Sequence, residues 1–443
     1  MEYFTMNGML YPLESDEIRC MKDIEYLFGY NMPGTARLFG KLEKNRIPLL
    51  ACPLQEHLNA VNKFLFDGGI MVDSVDATPE DPRQIWLDRQ LEHMGIQSKL
   101  TDLWERGAIT GELFLGFWMT KDPDGNMREI YDVQMYDRSE YVPVYDAYNN
   151  LIEVKVFSVY AEDGEDYVHK VNYTREAYIK WPKMTLYDCL HKELPDPEEY
   201  PHEYRDVPGV ILRNGRQIDT MRGTPEFNYG AIDMACEIAI QVCDAASNYH
   251  YFGDPKILSA DPRVTLKEIQ RRSQVLSKSE DERGGAPEFM EITPVPSGHP
   301  KFIENLTRNL RNKLGSPLVD ASGASDGTSS LTLRLLHTST ISTAQNKWKT
   351  YVDEGLAILF KKMLIAAAYD GILGNVNPMD SSTSMITVRR AQPFFPRSPQ
   401  EMQTAATLAD SLIAMGVKRE IALKQVFPEL TSEQILDMLE GDF

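Results

Sequence analysis

No proline interrupts the chain from Leu331 to about Tyr369, and along it Ile341, Ala344, Trp348, Tyr351, Gly355, Leu359, Met363 and Ala366 recur every three or four residues. That is the period of one helical face. At ~1.5 Å per residue the helix would be roughly 55–60 Å long, a length that crosses a subunit or a domain instead of capping one sheet.

Two segments lead into it. Lys301 to Leu314 is an amphipathic helix, with Phe302, Leu306, Leu310 and Leu314, or Ile303, Leu306 and Leu310, on its apolar side, and with Arg308, Arg311 and Lys313 elsewhere on the circumference. Gly315-Ser-Pro317 stops it. Leu318 to Ser330, rich in Ser, Gly, Asp and Ala, has too few large apolar groups to bury and is expected to be an exposed, mobile loop.

Apolar residues make up 42% of the 443, enough for real cores, and the length allows two or three domains. Acidic residues number 66 against 46 basic ones, a net charge of −20, which argues against a sequence-specific nucleic-acid binder. The charge is uneven: Lys256 to Lys313 holds eleven basic and eight acidic residues, so it carries +3 and the rest −23. The five cysteines form no CxxC pair, which fits reduced thiols, and Cys236 and Cys243, two helical turns apart, read as helix packing. With no signal peptide and no run of 18 apolar residues, the chain is expected to be neither secreted by the general route nor membrane-spanning, and to be made and assembled in the cytosol.

Taken in order, the chain opens irregularly, with short helices expected at Asp23 to Phe28 and Glu56 to Phe66. Gly34 to Leu42 only superficially resembles a phosphate loop, because five residues separate the glycines and Leu42 replaces the magnesium-binding hydroxyl. Arg83 to Arg106 predicts one amphipathic helix, and strands follow at Gly111 to Thr120, Met127 to Tyr136, Ser139 to Tyr145, Leu151 to Tyr160, Tyr167 to Asn172 and Ala177 to Trp181. Asp122-Pro-Asp-Gly-Asn126 makes the first two a hairpin. Thr185 to Asp206, acidic and proline-containing, predicts a loop, and Gly209 to Asn214 ends the region.

A helix from Glu226 to about Tyr249 presents Ile232, Ala235, Ala239, Val242 and Ala246 on one side, small enough for close helix contact. The excursion that follows, to Pro300, predicts a basic helix at Leu266 to Leu276, a charged loop, and a strand at Glu288 to Pro294, and is too short and polar to hold its own core. Beyond the long helix come a strand at Ser384 to Arg390, a rigid turn, and helical segments at Gln400 to Met415, Lys418 to Phe427 and Thr431 to Leu439.

This order of parts resembles the portal proteins of tailed bacteriophages. The pieces that carry the resemblance are Gly111 to Tyr160, with Asp124-Gly-Asn126 and Val142-Pro-Val-Tyr-Asp146; the Ser322-Gly323 loop before the long helix; and the ending Ser411-Leu-Ile-Ala-Met-Gly416 through Ala422-Leu423 to Val426-Phe427-Pro428. The resemblance implies an α+β portal fold: residues 1–225 as N-terminal wing, 226–252 first stem helix, 253–300 clip, 301–316 second stem helix, 317–330 tunnel loop, 331–395 long wing helix and returning strand, and 396–443 crown.

It further implies a homo-oligomeric ring, expected to be a dodecamer, in the virion at one capsid vertex, assembled in the host cytoplasm with major capsid protein and scaffold and no membrane. Double-stranded DNA enters through the ring, driven by the terminase large subunit, and later leaves; a head-to-tail adaptor attaches afterwards. The implied roles are structural, with no enzyme activity, catalytic residue, cofactor or metal. Asp320, Ser322, Gly323, Ser325, Asp326 and Gly327 of the tunnel loop, with Arg308, Arg311 and Lys313 of the stem, would face DNA. Lys267, Arg271, Arg272, Lys278 and Arg283 of the clip would contact terminase and adaptor. A polyanion must slide without sticking, and an acidic wall with sparse cations suits that, since each Lys or Arg contact to phosphate adds salt-dependent affinity. The stem cations could instead pair with acids of the next copy.

Two other readings stand beside this one. Gly323-Ala-Ser325-Asp-Gly327 matches the Gly-x-Ser-x-Gly elbow of a serine hydrolase, but the sole later histidine, His337, leaves no room for the usual triad order. A ring scaffold that never passes DNA is the other. The eight histidines are scattered, with no His-x-x-x-His or His-x-x-Glu pair.

Overall fold

The computed structural model describes residues 3–6, 9–12, 53–74, 81–121, 127–138, 140–215, 222–253, 257–259, 275–277, 288–289, 298–315, 337–374, 376–380, 383, 385–390 and 399–426. The fold is α+β, and the chain divides into two compact units, Met1–Ala60 with Asp102–Leu318, and Val61–Thr101 with Val319–Phe443. The expected helices at Asp23 to Phe28 and Thr431 to Leu439, and the Gly34 to Leu42 stretch, lie outside the described residues.

After a hairpin of β1 (Tyr3–Met6) and β2 (Met9–Pro12) come α1 (Pro53–Leu65) and β3 (Ile70–Ser74). The expected single helix from Arg83 to Arg106 is two, α2 (Pro82–Met94) and α3 (Ile96–Thr110). Gly95 separates them at φ 56° and ψ 40°, its N–H closing on the Glu92 carbonyl. A left-handed residue ends an α-helix, and glycine adopts it without a Cβ clash. Asp81 caps the start of α2 by accepting from the Arg83 N–H at 2.8 Å, and the hydrogen bond from the Arg83 side chain holds its carboxyl below the usual range.

In the first unit, β4 (Glu112–Lys121) pairs antiparallel with β5 (Met127–Asp137), as the hairpin signal requires. Next come β6 (Tyr141–Tyr145), β7 (Leu151–Glu162), β8 (Glu165–Thr174) and β9 (Ala177–Lys180), with β7 antiparallel to β6, β8 to β7 and β9 to β8. The segment expected to be a loop instead holds β10 (Met184–Thr185), α4 (Leu186–His191) and β11 (Glu198–Pro201). Thr185 caps α4 by accepting from the Asp188 N–H, and Cys189 is buried with Phe157, Val168 and Met184. Its acidic, proline-containing composition concealed this short apolar turn.

Finally β12 (Gly209–Arg213) pairs with β4, so one sheet runs β12-β4-β5 and the other β11-β9-β8-β7-β6, with β10 on β8. Their shared core is aromatic: Phe114 and Tyr136 from the first sheet pack against Tyr141, Tyr173 and Tyr178 from the second. Each such buried ring contributes ~1.5–3 kcal/mol. Gly116 makes the fit possible, since a Cβ there would stand 2.5 Å from Tyr173 Cζ.

The same unit continues into α5 (Tyr229–Gly253), which runs past the break expected at Tyr251. Three short strands follow, β13 (Ile257–Ser259) lying parallel to β14 (Val275–Ser277) and antiparallel to β15 (Glu288–Phe289). Val275 and Leu276, expected to end a helix, are strand because β13 pairs with them. Then α6 (Gly298–Lys313) packs against α5.

In the second unit the long helix begins at Thr338, later than expected, since His337 stands outside helical geometry at φ −96° and ψ 6°. It runs through α7 (Thr338–Trp348), a π-helical stretch at Lys349–Leu356, and α8 (Ala357–Tyr369). At ~1.5 Å per residue that is roughly 48 Å. The π stretch widens the turn so that Asp353 accepts from the Trp348 side chain five residues back, and burial of Asp353 raises its carboxyl pKa.

β16 (Ile386–Arg390) pairs antiparallel with β3. The Gln97 amide grips the start of β3, accepting from Ile70 N and donating to Ile70 O at 2.6 Å. Arg390 lies over the Trp348 ring at 4.4 Å, and burial pushes its guanidinium down to about 10. α9 (Pro399–Ala414) and α10 (Arg419–Val426) pack through Ala405, Ala409 and Val426.

Candidate functional site

The sequence-predicted site residues fall into three groups. Those of the tunnel loop (Asp320, Ser322, Gly323, Ser325, Asp326, Gly327) and of the clip (Lys267, Arg271, Arg272, Lys278, Arg283) lie outside the described residues. The stem group, Arg308, Arg311 and Lys313, sits on α6.

Two apolar stripes were open for α6, and the structure selects one. Leu310 is buried and Ile303 and Leu306 half-buried, whereas Phe302 is 48% exposed. On α5 the stripe is Ala231, Ile232, Ala235, Ile238, Ala239 and Cys243, all buried, which includes three of the five residues read from the sequence. His299 Nε2 and Gln241 Oε1 are 2.9 Å apart across the seam. At its other end the Lys313 Nζ stands 2.7 Å from where a Cβ on Gly230 would lie, so the glycine leaves room for the lysine stem. The two helices are therefore antiparallel.

Of the three cations, Arg308 forms an ion pair with Glu304, one turn back on its own helix, both side chains more than half exposed. Arg311 is 17% exposed and pairs with Glu56 of α1. Within this single chain, then, both guanidinium groups already face carboxylates.

The root of α5 is held by a buried polar cluster that sequence reasoning missed. Glu112, 1% exposed at the start of β4, meets Arg222 at 3.0 Å and accepts from the Gly223 N–H at 2.6 Å. Arg138 donates to the Gly223 carbonyl at 2.9 Å. Asn214, after β12, donates to the Thr224 carbonyl and to Glu226, and His57 of α1 lies 3.5 Å from the same Glu226 carboxylate. Tyr141 stacks its ring on Arg222 at 5.5 Å; burial, with the Glu112 charge adding, pushes its phenol well up. Gly223 is required here, since a Cβ would stand 2.1 Å from the Gly111 carbonyl oxygen.

These contacts tie Glu112, Arg138 and Asn214 to the Arg222–Glu226 segment that leads into α5, and so brace the point at which the helix leaves the sheets. The signal in the sequence was Glu112 itself, a lone carboxylate directly before the uncharged run Leu113 to Met119. Nearby, burial raises the carboxyl of Asp137, partly offset by Arg106 at 3.7 Å, and burial also raises Glu140, which accepts from the Asp137 N–H at 2.7 Å.

His337, the histidine a serine triad would need, starts the long helix with its ring 5.5 Å from Phe64. Among the described residues no group of three His, Cys, Asp or Glu is placed to hold a metal, and no helix is long and apolar enough to cross a membrane.

No family profile and no curated protein sequence matches the chain. Among solved structures, it is similar to a chain of the virion of a native gene transfer agent particle, with 8% identity, 89% of this chain and 99% of that chain covered, and a TM-score of 0.36. It is likewise similar to a chain from the neck of an empty gene transfer agent particle computed with C6 symmetry, with 9% identity, the same coverage and a TM-score of 0.36. A likeness that shallow decides neither fold nor function.

Proposed function

We propose that this chain is a portal-type subunit: identical copies close into a ring at one capsid vertex, twelve in the family it resembles, through which the terminase motor drives double-stranded DNA inward and through which the DNA later leaves. A head-to-tail adaptor then docks on the segment between α5 and α6. The chain makes and breaks no bond. The observation that carries this reading is the antiparallel α5–α6 pair, closed by the His299–Gln241 contact around a chain excursion whose described parts are three short strands. The resemblance to portal proteins implies such a pair for the stem, with the clip between its helices. The polar cluster at Glu112 supports it, since a stem has to leave its wing at a fixed angle.

Charge supports the reading as well. A net charge of −20 weakens adhesion to a polyanion, and the pairing of the partly buried Arg311 with Glu56 removes one of the phosphate contacts that would stall movement. Negative-stain electron microscopy of the purified chain tests it directly. Closed rings with a bore that admits a DNA duplex are expected; single chains, or a bore sealed against duplex, overturn the reading.

A further inference from the structure

We propose that neighbouring copies of this chain meet by opposite charge, the outer face of α5 in one copy against the outer face of α6 in the next; this rests on the ring reading above. α5 carries three carboxylates, Asp233, Glu237 and Asp244, and no lysine or arginine. α6 carries four cations, Lys301, Arg308, Arg311 and Lys313, against the single carboxylate of Glu304.

The charges are aimed as well as sorted. At about 100° per residue, Asp233, Glu237 and Asp244 fall within an arc of about 40°, opposite the buried Ala231–Ala239 stripe. By the same count Lys301 and Arg308 lie within about 20° of each other, opposite the seam made by Ile303, Leu306 and Leu310. Asp233, Glu237, Lys301 and Arg308 are all exposed and Asp244 is half-buried. The helix pair thus turns an acidic face to one side and a basic face to the other. Arg311 is engaged by Glu56 and takes no part. The Arg308–Glu304 pair is an exposed one within a helix, worth ~0.3–0.5 kcal/mol, and does not withhold Arg308 from a neighbour.

The heights agree too. Counting along the antiparallel helices from the His299–Gln241 and Lys313–Gly230 contacts sets Asp233 level with Arg308, and Glu237 level with Ile303 to Leu306, about one turn from Lys301. A second copy placed alongside by rotation, without axial rise, brings acid to base. Such a heterologous contact closes into a ring, whereas a two-fold contact between like helices would set acid on acid.

Charge reversal in the full-length chain tests this. Asp233→Lys with Glu237→Lys makes both outer faces basic, and Lys301→Glu with Arg308→Glu makes both acidic. Each variant, with wild-type circular dichroism, is expected to sediment as single chains or small fragments where wild type forms rings, and an equimolar mixture of the two is expected to reassemble. The milder Asp233→Asn with Glu237→Gln should raise the concentration for half-assembly about tenfold. Rings that persist through both reversals, or reversed variants that fold yet do not co-assemble, overturn the contact while leaving the ring reading intact. A wild type that stays a single chain overturns the ring reading, and the contact with it.

Discussion

The buried Glu112 and the half-buried Arg222 form an ion pair that the Gly223 N–H completes, and removing one partner leaves a largely desolvated charge without compensation, at a cost of up to about 3–5 kcal/mol. Glu112→Ala is therefore expected to destabilise the first unit by that amount in urea titration, and Glu112→Ala with Arg222→Met to recover much of it. Asp137 behaves oppositely. Burial lifts its folded pKa above the unfolded value, so its contribution favours folding below the unfolded pKa and is lost as pH rises through the folded one. Asp137→Asn should flatten that loss, so the melting temperature of the variant gains on wild type as pH is raised above the ordinary carboxylate range; a constant difference between pH 4 and 8 would contradict it. Ser325→Ala is expected to change nothing in assembly or packaging, and a loss from that change alone would restore the hydrolase reading.

Elements are decided by backbone geometry that periodicity does not reveal. The apolar spacing of Ile85 to Trp104 passes through Gly95 without a gap, yet Gly95 is left-handed and the helix ends there. Gly95→Ala should cost about 1–2 kcal/mol for the strained conformation without fusing α2 and α3. The π stretch at Lys349–Leu356 holds surplus residues relative to an α-helix. Deleting Glu354 there is expected to lower the melting temperature far less than deleting Lys362 from α8. The first deletion tightens a wide turn, while the second rotates the buried Met363, Leu364, Ala366 and Ala367 by about 100° away from their core.

At the scale of the whole molecule, the ring reading assigns residues 317–330 to the bore and away from subunit contacts. Deleting Ala321 to Thr328 is expected to leave ring assembly unchanged by electron microscopy while impairing packaging or retention of DNA. Failure to assemble would show that the assignment of this stretch is wrong. The long helix is expected to unfold with β16, because Arg390 is stacked on Trp348, and hydrogen exchange across Thr338–Tyr369 and Ile386–Arg390 should report one opening event.

By itself the sequence determined what depends on neighbours a few residues away: the strands from β4 to β9, the α5 and α6 helices, the absence of proline that permits a long helix, and the sorting of acid and base between α5 and α6. Tertiary structure alone decided the rest. Only it chose Ile303 over Phe302 for the α6 seam, paired β3 with β16, turned Val275 and Leu276 into strand, and gathered Glu112, Arg138, Asn214, Arg222 and His57 around the root of α5. The reason is one of range. A helix or hairpin is stabilised by bonds that close within a few residues, whereas sheet pairing and burial of charge are settled by groups far apart in the chain, whose meeting no local spacing records.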